Sequence, residues 1–130
     1  MAVAARIAIL VVDDAEDNLR LVEKMFTTGD RPWDVTTCNN GARAIELTAS
    51  HWFDLVLLDL EMPSMDGLAV ARQMRAREVR GGPRVTIVAL TAQTSRAHRA
   101  NALEVGCDGF LTKPFRRAEL LSAIDRYLRG

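Results

Sequence analysis

The chain has 130 residues, 48% of them apolar, and its 17 basic residues balance 17 acidic ones. That length and apolar content suit one domain with one core, 1–130, and exclude a disordered tail. A net charge of zero gives no pull toward nucleic acid or an anionic membrane, and no apolar run approaches the roughly 18 residues of a membrane span.

Met1 to Arg6 lacks a signal peptide's charged front and long apolar centre, so a cytoplasmic location is expected. Ile7 to Val12 is a continuous apolar run, read as a strand covered on both faces, and Asp13-Asp14 end it. Leu19, Val22, Met25 and Phe26 recur at helical spacing and predict a helix from Glu16 to Thr28, stopped by Gly29. Trp33 to Cys38 is a short strand. Asn39-Asn40-Gly41 is a turn before a short helix, Ala42 to Ala49. Leu55 to Leu58 is again apolar throughout, and Asp59 stands at its carboxyl edge, within reach of solvent and a ligand. Met62-Pro63 leaves regular structure, because the residue before proline is pushed away from helix. Asp66 reads as the N-cap of a helix with Leu68, Ala71, Met74 and Val79 inward. Gly81-Gly82-Pro83 is a clear breaker. Val85 to Leu90 is a third long apolar strand, ending in Thr91. A weakly patterned helix, Arg96 to Val105, turns Ala100 and Leu103 inward and stops at Gly106. A short strand at Phe110-Leu111 ends in Thr112-Lys113-Pro114. The last helix, Arg116 to Arg129, is amphipathic through Leu120, Leu121, Ile124, Tyr127 and Leu128.

Five strands alternating with five helices predict an α/β fold, a flavodoxin-like doubly wound parallel sheet of five strands in the order 2-1-3-4-5. Ligands of such sheets bind outside the carboxyl ends of the strands. The fold therefore gathers Asp13, Asp14, Asp59, Thr91 and Lys113. Three converging carboxylates repel one another, and a hard divalent cation such as Mg2+ relieves that repulsion through oxygen ligands. Helix capping accounts for one aspartate. It does not account for three acids, a lysine and a hydroxyl on one edge. Lys113 is one of only two lysines in the chain and can pair with Asp59.

These residues carry a resemblance to the receiver domains of two-component response regulators, over Ile7 to Leu128. Its motifs are Asp13-Asp14, the stretch Asp59-Leu60-Glu61-Met62-Pro63-Ser64-Met65-Asp66-Gly67, Leu90-Thr91-Ala92 and Lys113-Pro114-Phe115. The resemblance implies that Asp59 accepts a phosphoryl group from a histidine of a sensor kinase or phosphotransfer protein. It implies that Asp13, Asp14, Asp59 and the Glu61 carbonyl hold Mg2+. Thr91 and Lys113 would bind the phosphoryl group, Phe110 would be the switching aromatic, and the bond before Pro114 would be cis. The output face would be the fourth helix, fifth strand and fifth helix. It would act on a downstream domain or protein, with a phosphorylation-dependent dimer left open, and the chain would catalyse only its own phosphorylation and dephosphorylation. The wording Val12 to Asn18 looks more like the receivers of hybrid kinases.

Glu61 and Gln93, two residues after Asp59 and Thr91, are expected to flank the path of an attacking water. Cys38 and Cys107 match no metal spacing and read as reduced, buried thiols. His51 and His98 read as surface or loop histidines. Arg72, Arg75, Arg77, Arg80 and Arg84 read as a solvated helix face, with no nucleic-acid module beside them. The rival reading is a Mg2+-dependent phosphatase with an aspartate nucleophile. A flavin mononucleotide site is disfavoured, because Asp13-Asp14 would repel its phosphate.

Overall fold

The computed structural model of the chain describes residues 6–27, 33–63, 65–78 and 84–129. In chain order the elements are β1 (Ile7–Val12), α1 (Glu16–Thr27), β2 (Trp33–Cys38), α2 (Gly41–Ser50), β3 (Leu55–Asp59), β4 (Glu61–Met62), β5 (Met65–Asp66), α3 (Gly67–Glu78), β6 (Thr86–Thr91), α4 (Arg96–Glu104), β7 (Gly109–Thr112) and α5 (Arg117–Arg129). The main sheet is parallel and runs β2-β1-β3-β6-β7. Counting only its five strands, that is the expected order 2-1-3-4-5. The β4–β5 pair is a separate two-stranded sheet.

The apolar runs form the central strands because both of their faces are covered. Ile9 to Val12, Leu55 to Leu58 and Ile87 to Leu90 are all at most 1% exposed. Alternation along each strand divides their side chains between two cores. Leu10, Val12, Val56, Leu58, Ile87 and Ala89 pack with α2 and α3. Ile9, Val11, Leu55, Leu57, Val88 and Leu90 pack with α1 and α5, where Phe26 meets Trp33 edge to face.

Four details differ from the sequence reading. Met62-Pro63 does not leave regular structure at once, because Glu61 and Met62 pair antiparallel with Asp66 and Met65 around Pro63. Proline is tolerated there because it sits in the turn, where no ladder donor is needed. On α3 the buried positions are Gly67, Val70, Ala71 and Met74, with Leu68 only partly covered. On α4 the inward residue is Ala102, whereas Ala100 is exposed and Leu103 is 53% exposed. That helix has too few apolar residues for its sequence to fix the phase. Finally, Arg75 is no solvated residue but a part-buried clamp. Its Nε donates to the Gly106 carbonyl, Nη1 to Glu78 and the Val85 carbonyl, and Nη2 to Asp108. Gly106 adopts φ +106°, the left-handed region, with the Arg75 side chain against it. Arg72 and Arg77 are exposed, and Arg84 pairs with Asp108. Thr28, Gly29, Val79, Arg80 and Gly81 to Pro83 lie outside the described residues.

Candidate functional site

Parallel strands end together, so the residue after each apolar run arrives at the same rim. Asp13 follows β1, Asp59 ends β3, Thr91 ends β6 and Lys113 follows β7. Asp13, Asp59 and Thr91 are 3%, 2% and 1% exposed, and they are the buried polar side chains among the described residues. Asp13, Asp14 and Asp59 each offer a carboxylate oxygen, all within 4.8 Å of one another. At an effective dielectric of ~20, two unit charges that far apart repel by about 3–4 kcal/mol. Burial, reinforced by the negative charge of Asp59, holds the Asp13 carboxyl above the usual carboxylate range. The Ala15 amide and Lys113 oppose that rise.

The positive counterpart is small. Lys113 Nζ donates to Asp59 Oδ1 at 2.8 Å, and the Glu61 amide donates to the same oxygen at 3.0 Å. The Lys113–Pro114 bond is cis. The Lys113 amide bonds the Thr91 carbonyl at 2.8 Å, tying the two strand ends together. Among the described residues, three carboxylates gather about the Lys113 ammonium in a rim where backbone also crowds. A Cβ on Gly67 would stand 2.6 Å from the Asp59 carbonyl oxygen, so α3 can start there only with glycine. Asp66 supports that start by accepting from the Leu68 amide at 2.9 Å.

Three carboxylate oxygens within reach of one another, with burial and the neighbouring acid disfavouring the anionic form of Asp13, fit a hard divalent cation such as Mg2+. The structure thus brings together Asp13, Asp14, Asp59 and Lys113, with Thr91 at the adjoining strand end. Phe110, on β7, stands apart from the acids, half-buried, with the Arg99 guanidinium 5.7 Å from its ring centre. Glu61 turns toward the β6–α4 connection, where Oε1 accepts from the Ala92 amide at 2.6 Å, while Gln93 is exposed.

One residue differs from the sequence expectation. His98 is not a surface histidine: its side chain is 15% exposed, and Nε2 lies 2.9 Å from Thr91 Oγ1. No sequence signal marks it, because the contact depends on the phase of α4. Beside the acids, a cavity of about 360 Å3 opens between α1 and the β7–α5 connection, lined by Leu21, Met25, Pro114 and Phe115 among others. The two cysteines are buried and free, and burial pushes the Cys107 thiol up to about 11.

The family model of the response regulator receiver domain matches residues 9–125. Hybrid signal transduction histidine kinase L of Dictyostelium discoideum is 35% identical over 121 residues, 92% of this chain and 7% of that protein. Response regulator PleD of Caulobacter vibrioides is 39% identical over 106 residues, 82% of this chain and 22% of that protein. The chain thus spans only a minor part of these curated relatives. The receiver domain of a sensor histidine kinase from Pseudomonas aeruginosa PAO1, solved with a magnesium ion in its active-site cleft, superposes with a TM-score of 0.84. It is 34% identical, and the match covers 97% of this chain and all of that one.

Proposed function

The chain belongs to the response regulator receiver domain family, and from that premise we propose that Asp59 is its phosphoacceptor, charged by a phosphohistidine of a sensor kinase or phosphotransfer protein. As a receiver domain it serves two-component or phosphorelay signalling. The observation that carries the proposal is the Lys113–Asp59 contact at 2.8 Å inside a cluster of three carboxylates.

Lys113 and the Glu61 amide both engage Asp59 Oδ1, which leaves Oδ2 for attack. Oδ2 bonds to phosphorus as the bond from phosphorus to the donor's imidazole nitrogen breaks. The electron pair stays on that nitrogen, and the product is an aspartyl phosphate. Charge spreads over the equatorial oxygens of the transferring group, so fixed positive groups lower the barrier by position and field. Lys113 is such a group. Asp13, Asp14, Asp59 and the Glu61 carbonyl would hold Mg2+, which when bound supplies further positive charge toward the same oxygens. The neighbouring apolar cavity, with Leu21 56% exposed beside it, offers the donor a surface next to Asp59. The new phosphate adds about −1.5 to −2 charges. It recruits the Thr91 hydroxyl, Phe110 turns inward, and the face of α4, β7 and α5 signals to an output domain, an output protein or a second copy.

The phosphatase reading is not favoured. It needs a free acid two residues after Asp59, and the Glu61 carboxylate is instead bonded to the Ala92 amide. Intact-mass spectrometry after incubation with acetyl phosphate and Mg2+ tests the proposal. One phosphoryl group should add to the wild type, and Lys113→Ala should slow its uptake at least tenfold. Turnover of small phosphate esters without a phosphorylated protein would overturn it.

A further inference from the structure

The first turns of α4 touch both residues assigned to the switch, through consecutive side chains. His98 Nε2 lies 2.9 Å from Thr91 Oγ1, and the Arg99 guanidinium lies 5.7 Å from the centre of the Phe110 ring. His98 is placed by the helix start, where its amide donates to the hydroxyl of Ser95, the N-cap of α4.

A third group sets the ring. Glu61 is anchored through Oε1 to the Ala92 amide, and its Oε2 is buried with no hydrogen-bond partner, 4.0 Å from His98 Nε2. A carboxylate facing that nitrogen draws the ring's N–H onto it, so Nε2 donates to Thr91. The Thr91 oxygen then accepts from His98 and, at 3.0 Å, from the Gln93 amide. Both of its lone pairs are engaged on the α4 side. With Nε2 as donor, the Thr91 hydrogen is left the Gln93 carbonyl, 3.5 Å away. The hydroxyl is pinned by its oxygen while its proton is poorly used. Turning toward a phosphoryl oxygen improves the donation and breaks the contact with His98.

We propose that His98 is a positioning residue that latches Thr91 to α4 in the resting domain, so that recruitment of Thr91 to the phosphoryl group releases the start of α4. Arg99 is the second, weaker arm of this latch, on Phe110. The inference rests on the reading of Asp59 as phosphoacceptor.

The test is the affinity for beryllofluoride in the presence of Mg2+, followed by NMR. This anion takes the phosphoryl position on a carboxylate without covalent transfer. Losing one resting-state hydrogen bond should let His98→Ala bind it about three- to tenfold more tightly. His98→Gln, which keeps a donor at that reach, should stay close to wild type. In a Thr91→Ala background, His98→Ala should change nothing. Arg99→Ala should tighten binding by about two- to fivefold. Unchanged or weakened binding by His98→Ala, with wild type binding normally, overturns the latch alone. Equal tightening in the Thr91→Ala background also overturns it. If wild type neither binds beryllofluoride nor takes up phosphate from acetyl phosphate, the assignment of Asp59 falls and the latch falls with it.

Discussion

The two ends of the sheet hold polar clusters of similar make-up and opposite character. At the amino end, Arg75 joins Glu78 and Asp108, and both acids also accept backbone amides, from Val85 at 2.7 Å and Ile87 at 2.8 Å. Two arginines, Arg75 and Arg84, face two acids, so charge balances. At the carboxyl end, among the described residues, three acids, Asp13, Asp14 and Asp59, gather where Lys113 reaches Asp59. The clamp spends its donors and acceptors within the chain and ties α3, β6 and β7 together. The rim keeps negative charge in reserve for something from outside. Unbalanced buried charge destabilises a fold, so its presence marks a site, whereas balanced charge marks scaffold.

The largest break in this contrast comes at the clamp. Arg75→Ala leaves Glu78 without its arginine, Asp108 with Arg84 alone, and the Gly106 and Val85 carbonyls without their donor, and should cost about 3–5 kcal/mol in urea unfolding. A loss under about 1 kcal/mol would make the clamp ornamental. The next effect is at the rim. Gly67→Ala forces a Cβ against the backbone of Asp59 and Leu60 and should cost about 1–3 kcal/mol, with slower phosphorylation. A variant as stable and as reactive as wild type would show that this crowding is not real.

The smallest effect has the opposite sign. Asp13 is held above its ordinary range in the folded state, mainly by burial. The folded state therefore binds more protons than the unfolded one between the two values. Its contribution to stability is whole below the ordinary carboxylate range and is lost as pH rises through the raised value. Without Mg2+, Asp13→Asn should thus gain stability over wild type at pH 7 and lose that advantage near pH 4. Thermal melts at both pH values check this, and a gap independent of pH would contradict it.

The rim was more legible in the sequence than the clamp. Three apolar runs each ended in a polar residue, and a parallel sheet leaves those ends no choice but to meet. Asp13, Asp59 and Thr91 follow from that alone. The clamp was not legible, because Arg75 comes from α3 and its partners Gly106 and Asp108 from the α4–β7 connection, and the charged side chains look solvated one by one. His98 was missed for a related reason. Its helix buries little more than Ala102, so the sequence did not say which side faced Thr91. The β4–β5 pairing was hidden by Pro63, whose usual effect is to end structure.

Chemical trapping of the modified side chain tests the central claim most directly. Borohydride reduces an aspartyl phosphate to homoserine, which peptide mass spectrometry locates by position. After acetyl phosphate and Mg2+, homoserine should appear at position 59 alone, and Asp59→Asn or chelation of the metal should abolish it. Homoserine at position 13 or 14, or none anywhere in a well-folded wild type, would contradict the account.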